Sequence, residues 1–284
     1  MSWKRRLHAA VARAGASRGL RGAGPRTGAA RGSGVDRLLK APAFVLCSVR
    51  SGSTLLRVLL NSHSEICAPH ELHLRNLHVR VRGRHTARAL EATGLDDRRL
   101  EYLLWDRLLH RELVMSGKAV LVNKTPSDVF IADRILECWP DARFVFLLRH
   151  PALIVRSRRR ARPQDSEERN EAAVLRLLEA LEAARRAYPG LTVRYEDLAS
   201  DPATETRRVC AFLGLPWEPG MLDYGRFDHG RFRPGLGDWS PTIRSGKVMP
   251  PRPAPPPEAL PPALRDIAAA WGYLSPERQQ ARSP

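Results

Sequence analysis

The stretch Phe44-Val-Leu-Cys-Ser-Val-Arg-Ser-Gly-Ser-Thr-Leu-Leu56 decides the reading of this chain. An apolar run of strand character passes into a Gly/Ser/Thr turn, and two leucines then open a helical pattern. Such a strand–turn–helix builds an anion site. The first N–H groups of a helix have no partner within it, and the helix dipole adds positive potential there. Gly52 lets the backbone approach a phosphate, Ser53 and Thr54 add hydroxyl donors, and Arg50 supplies a charged fork. The ATP- and GTP-binding loop is different: it has four residues between its glycines, followed by Lys and then Ser or Thr. Here the turn is shorter, the cation precedes the glycine, and no acidic residue lies between Asp36 and Glu65 to serve as a magnesium ligand.

Four further segments stand beside it. Ala142-Arg-Phe-Val-Phe-Leu-Leu-Arg-His-Pro151 reads as a second buried strand, ending at Arg149, with Pro151 in the first turn of a helix. Ser157 falls about two helical turns beyond Arg149. Taken alone, these two read as a sheet-end arginine and an exposed serine in the basic run Arg156–Arg160. A short strand, Ala119 to Val122, leads into Val122-Asn-Lys-Thr-Pro126. Val193-Arg-Tyr-Glu-Asp-Leu198 continues through Asp201-Pro202 to Val209-Cys-Ala-Phe-Leu-Gly-Leu-Pro-Trp217, and Ile243-Arg-Ser-Gly-Lys247 is a basic glycine turn.

Taken in chain order, the five segments resemble the sulfotransferases that use 3′-phosphoadenosine 5′-phosphosulfate (PAPS), in their tyrosylprotein and bacterial branches. The resemblance runs from residue 43 to about 275. It implies transfer of a sulfuryl group from PAPS to a hydroxyl or amine, without a metal. By the resemblance, Ser51, Gly52, Ser53 and Thr54 cradle the 5′-phosphosulfate and Arg149 and Ser157 hold the 3′-phosphate. Tyr195 lies near the adenine, with core packing as its other reading, and Arg244 or Lys247 closes the 3′-phosphate site. Arg50 and Lys124 form a cationic clamp. The family often has Lys at the position of Arg50, and an Arg there acts electrostatically because it donates its proton poorly. Glu71, in Pro69-His-Glu-Leu-His73, is the expected general base, His73 is the runner-up and His70 a solvated neighbour. The acceptor is not legible: a carbohydrate, a glycolipid, a secondary metabolite and a phenol all fit, and oligomeric state is equally undetermined.

Charge and composition agree with an anionic donor. Net charge is +17 over 284 residues, and residues 1–34 supply +8 of it with no acidic residue. Aromatic residues make up only 6% of the chain and do not interleave with the basic ones, which argues against a base-stacking nucleic-acid platform. Residues 1–40 read as a basic, disordered leader, 41–275 as a single domain and 276–284 as a tail. Trp3, Leu7, Ala10, Val11 and Ala14 share one helical face among arginines, so organelle targeting or peripheral membrane contact is the leader's alternative reading. No run of eighteen apolar residues exists to span a membrane. The four cysteines are widely spaced in apolar segments and read as reduced core residues, which points to the cytoplasm.

Strands alternating with helices imply an α/β, P-loop-like three-layer fold, with a central parallel sheet flanked by helices. Helices are expected at 53–62, 96–114, 127–138, 167–187 and 263–272. Residues 70–95 show no clear period. Three rivals stand beside the sulfotransferase reading. His70, His73 and His78 with Glu71 offer metal ligands, but a zinc-protease helix needs two residues between Glu and the second His, and only Leu72 intervenes. A P-loop-like small-molecule kinase would want a Lys after the loop glycine and a magnesium carboxylate. A non-catalytic polyanion-binding protein would explain the charge but not five ordered motifs.

Overall fold

The computed structural model describes residues 37–230, 240–253, 255–256 and 260–274. The expectations for the leader through residue 36 and for the 276–284 tail lie outside the described residues. A compact unit beginning at Leu38 carries all the elements below.

Strand β1 (Ala43–Cys47) is wholly buried and helix α1 (Ser53–Asn61) follows the glycine turn. Then come β2 (Ile66–Cys67), α2 (Arg84–Ala92), α3 (Asp97–Ser116) and β3 (Val120–Lys124). The next segment is a 3-10 turn, Pro126–Ile131, that runs into α4 (Ala132–Cys138). The continuous helix expected over 127–138 is therefore split, and Pro126 and the tight Thr125 turn set its tighter first part. Next are β4 (Arg143–Leu148), α5 (Pro151–Ala161), α6 (Glu167–Ala187) and β5 (Gly190–Arg194). Short helices α7 (Tyr195–Ser200), α8 (Pro202–Leu213), α9 (Pro241–Arg244) and α10 (Arg265–Ala270) complete the order. The expected helix over 263–272 is a 3-10 turn, Pro262–Leu264, followed by α10.

All strand pairs are parallel, in the order β2-β3-β1-β4-β5. Sheets of this kind are covered on both faces, which is why their strands read as unbroken apolar runs. Side chains alternate between two cores. Phe44, Leu46, Phe144, Phe146 and Leu148 pack with α3, α4 and α6 around Trp105 and Trp139. Ala43, Val45, Cys47, Val145 and Leu147 pack with Leu55, Leu56 and Leu59 of α1 and Val209 of α8. The central strands β3, β1 and β4 thus end on one edge, each followed by a loop. In open α/β sheets that carboxyl edge is where ligands bind.

One polar anchor fixes this edge and a second braces the opposite, amino edge of the sheet. Glu196 accepts from the His150 backbone N–H at 2.9 Å and from the Tyr273 hydroxyl at 2.7 Å, tying the β4–α5 turn to α7 and to the C-terminal segment. Lys118 donates to the carbonyls of Asn61, His63 and Ile66, at the C-terminal end of α1 where cations are favoured.

Candidate active site

The loop after β1 is held in a conformation few residues tolerate. Arg50 has φ 63° and Gly52 φ 84°, both in the left-handed region. A Cβ on Gly52 would sit 2.1 Å from Tyr195 Cδ2, so the position needs glycine both for its backbone and for the ring lying against it. Ser51 donates its hydroxyl to the Ser48 carbonyl at 2.7 Å and is fully buried. It locks the turn, and what it can offer a ligand is backbone. Gly52, Ser53 and Thr54 line a cleft of about 870 Å³.

Arg149, leaving β4, joins the same cleft. Its Nη1 donates to the Arg50 carbonyl at 2.7 Å and its guanidinium lies 4.2 Å from the Tyr195 ring centroid. Burial draws its pKa below the usual arginine value, while the Tyr195 and Glu196 charges oppose the shift. Arg50 in turn donates its Nε to Ser157 Oγ on α5 at 3.1 Å. The expected 3′-phosphate pair, Arg149 and Ser157, and the loop arginine Arg50 are thus one connected group. Tyr195 is the first residue of α7 and not the last of β5, and it lies between the glycine turn and Arg149.

On the other side of β1, Lys124 ends β3. It is 1% exposed and its ammonium pairs with Glu71, whose other oxygen lies 3.7 Å from His73 Nε2. His73 has φ 48°, and its N–H donates to Thr125 Oγ1 at 3.4 Å. Glu71 lines the cleft; His73 and Lys124 are not among its lining residues. The rival metal ligands do not converge: His78 bonds Glu101 at 3.3 Å, and His70 approaches Gly230. Of the glycine-turn candidates near the C terminus, Lys247 lines the cleft and Arg244 does not.

Several site residues escaped sequence reasoning. Arg57, buried in α1, donates to the Ala68 carbonyl at 3.1 Å. Burial lowers its guanidinium to about 10, against the pull of Glu71. Asp128 is buried beside Glu71, and its carboxyl is pushed up to about 8 by burial first and by the Glu71 charge second. Cys47 at the end of β1 is likewise raised to about 11 by burial, which leaves an uncharged thiol under the loop. Arg156, Arg158 and Arg160, which read from the sequence as part of a basic run, line the cleft, and Arg162 and Arg252 join them. Among the described residues, eight Lys or Arg line the cleft against one carboxylate, Glu71, so it suits a multiply charged anion.

The chain matches, over residues 42–219, the model of a family described as the sulfotransferase family, and it belongs to that family. It is 31% identical over 206 residues to nodulation protein NoeE of Sinorhizobium fredii (strain NBRC 101917 / NGR234), covering 60% of this chain and 49% of NoeE. It is 28% identical over 195 residues to protein-tyrosine sulfotransferase 1 of Danio rerio, covering 62% and 53% of the two chains. The chain spans about half the length of these curated relatives. Among solved structures, the sulfotransferase domain of the Synechococcus PCC 7002 olefin synthase superposes with TM-score 0.59 at 25% identity, covering 84% of this chain and 98% of that one. A sulfotransferase domain from the curacin biosynthetic pathway shares the fold, with TM-score 0.60 at 23% identity over 84% and 99% of the chains. Among the described residues no helix is long and apolar enough to cross a membrane.

Proposed function

We propose that this chain, through a single domain over residues 41–275, is a sulfotransferase that moves a sulfuryl group from PAPS to a hydroxyl or amine of an acceptor. The observation that carries this reading is the link Arg149–Arg50–Ser157 beside the Gly52 loop, in one basic cleft with Glu71, which the buried Lys124 pairs. The 5′-phosphosulfate is taken by the N–H groups and hydroxyls from Ser51 to Thr54. Arg149 and Ser157 take the 3′-phosphate, Lys247 closes over it and Tyr195 borders the adenine. With that assignment Arg50 has two roles, orienting Ser157 as well as contributing charge.

In the transfer, an acceptor oxygen or nitrogen bonds to sulfur as the bond from sulfur to the bridging phosphate oxygen breaks. Glu71 receives the acceptor proton, and adenosine 3′,5′-bisphosphate leaves with the bonding electrons. Lys124 and Arg50 offset the charge that builds on the leaving oxygen, the kind of preorganised electrostatic help that dominates related group transfers. The ion pair with Lys124 holds Glu71 in place for its base role. Turnover of radiosulfate-labelled PAPS in the presence of a chelator tests the reading. Label should reach an acceptor or water with release of adenosine 3′,5′-bisphosphate, and Lys124→Ala should abolish it. Labelled PAPS left intact with every hydroxyl and amine acceptor offered, alongside magnesium-dependent use of ATP, would overturn it.

A further inference from the structure

Strand β3 ends in Asn123-Lys124, both fully buried, and successive side chains of a strand point to opposite faces. Lys124 reaches Glu71. Asn123 instead meets Asp128 in the 3-10 turn that follows: its Nδ2 donates to Asp128 Oδ2 at 2.7 Å. The other oxygen of each group, Asn123 Oδ1 and Asp128 Oδ1, is buried without a hydrogen-bond partner. Two acceptors left over on a paired amide and carboxyl, both out of water, is a costly arrangement when the carboxyl is ionised. A single proton resolves it. The amide N–H then donates to one carboxyl oxygen, and the carboxyl O–H donates to the amide oxygen.

We propose that Asp128 carries a proton at neutral pH in a reciprocal acid–amide pair with Asn123, and that this pair positions the Lys124–Glu71 couple while keeping the donor site cationic. The effect on the donor rests on the function proposed above; the protonation does not.

The groups around the pair support it. Lys124 is committed to Glu71, and Arg57 also bears on Glu71. The Arg75 backbone N–H and the Lys124 charge favour the ionised carboxyl, but burial and the Glu71 charge outweigh them, and the guanidinium groups of Arg75 and Arg176 lie over the Phe130 ring at 4.6 and 5.1 Å. Asp133, at the start of α4, is exposed, and β1 presents the uncharged Cys47 thiol. No described cation is therefore devoted to Asp128, and its elevated carboxyl pKa agrees with the geometry. With Asp128 neutral, Lys124 and Arg57 face one carboxylate. Ionisation would add a second and cancel the excess positive charge just where an anionic donor is to bind.

Two measurements test this. An infrared spectrum of the wild-type protein near neutral pH should show the C=O band of a buried protonated carboxyl, lost above about pH 8 and absent from Asp128→Asn. The second is calorimetric affinity for adenosine 3′,5′-bisphosphate in both proteins on either side of that pH. The wild type should lose about tenfold relative to Asp128→Asn, the size expected for one unit charge about 12 Å away at an effective dielectric of about 20. The amide variant keeps a reciprocal pairing and cannot ionise, so a residue with a purely structural role would not separate the two pH profiles. No protonated-carboxyl band at neutral pH, or parallel profiles for the two proteins, would overturn the proposal. Absence of bisphosphate binding at every pH would instead refute the donor assignment, and the infrared band would still decide the state of Asp128.

Discussion

Arg149 Nη1 donates to the backbone carbonyl of Arg50 at 2.7 Å, so the residue that ends β4 holds the loop that follows β1. Arg149→Ala should therefore cost more than a charge. Hydrogen bonds to charged groups contribute about 1.5–3 kcal/mol, so affinity for adenosine 3′,5′-bisphosphate should fall roughly 10- to 100-fold. Affinity for adenosine 5′-phosphate should fall much less. Equal losses for both nucleotides in a titration would remove Arg149 from the 3′-phosphate.

Gly52→Ala should be damaging on two counts. The left-handed backbone at φ 84° costs a non-glycine residue about 1–2 kcal/mol, and the new Cβ would collide with Tyr195. Displacing Tyr195 also removes the ring stacked on Arg149. The expected outcome is a lower thermal midpoint together with loss of nucleotide binding. Binding that survives unchanged would mean that the ring contact is dispensable.

Glu71→Gln separates chemistry from binding. A positioned general base is worth about 10²–10⁴ in rate, so turnover of PAPS should fall within that range. Donor affinity should hold or rise, because the variant removes a negative charge beside Lys124. Turnover at the wild-type rate would transfer the base role to His73, whose Nε2 is 3.7 Å from Glu71.

How far the sequence disclosed this site depends on the kind of signal each part left. The Gly52 turn, the end of β4 at Arg149 and the Lys124 loop follow apolar runs with sharp punctuation, and the parallel sheet and most helix boundaries were legible for the same reason. Helix α6 spans the residues its leucine spacing and the Pro189-Gly190 stop indicate. Helix α2 was illegible because it is short and none of its residues is buried, so its few apolar residues mark no core-facing stripe. Asp128 gave no signal, since its character arises from burial near Glu71, which α2, α3 and β3 separate from it in the chain. The cleft arginines of α5 looked like a solvated run, because a helix face shows its partner only once the sheet edge is built. The role expected for Arg50 required no spatial information, but its bond to Ser157 did.

Asp128 also sets a pH dependence of stability. Its folded carboxyl titrates near 8 against an ordinary 3.8, so the folded state keeps a proton that the unfolded chain releases between those values. The stabilisation is complete below the unfolded value. It declines as pH rises, by up to about 1.4 kcal/mol per pH unit, and is gone above the folded value. Urea denaturation across this window should show wild-type stability falling relative to Asp128→Asn. Parallel curves would contradict the assignment.

The most direct test of the central claim is calorimetric titration with adenosine 3′,5′-bisphosphate in a chelating buffer, with ADP alongside. A 3′-phosphate pocket built by Arg149 and Ser157 predicts tight, metal-independent binding of the bisphosphate, with ADP weaker by about tenfold or more, the size of one lost charged hydrogen-bond set. Equal binding of ADP, or binding of either nucleotide only with magnesium, would contradict it.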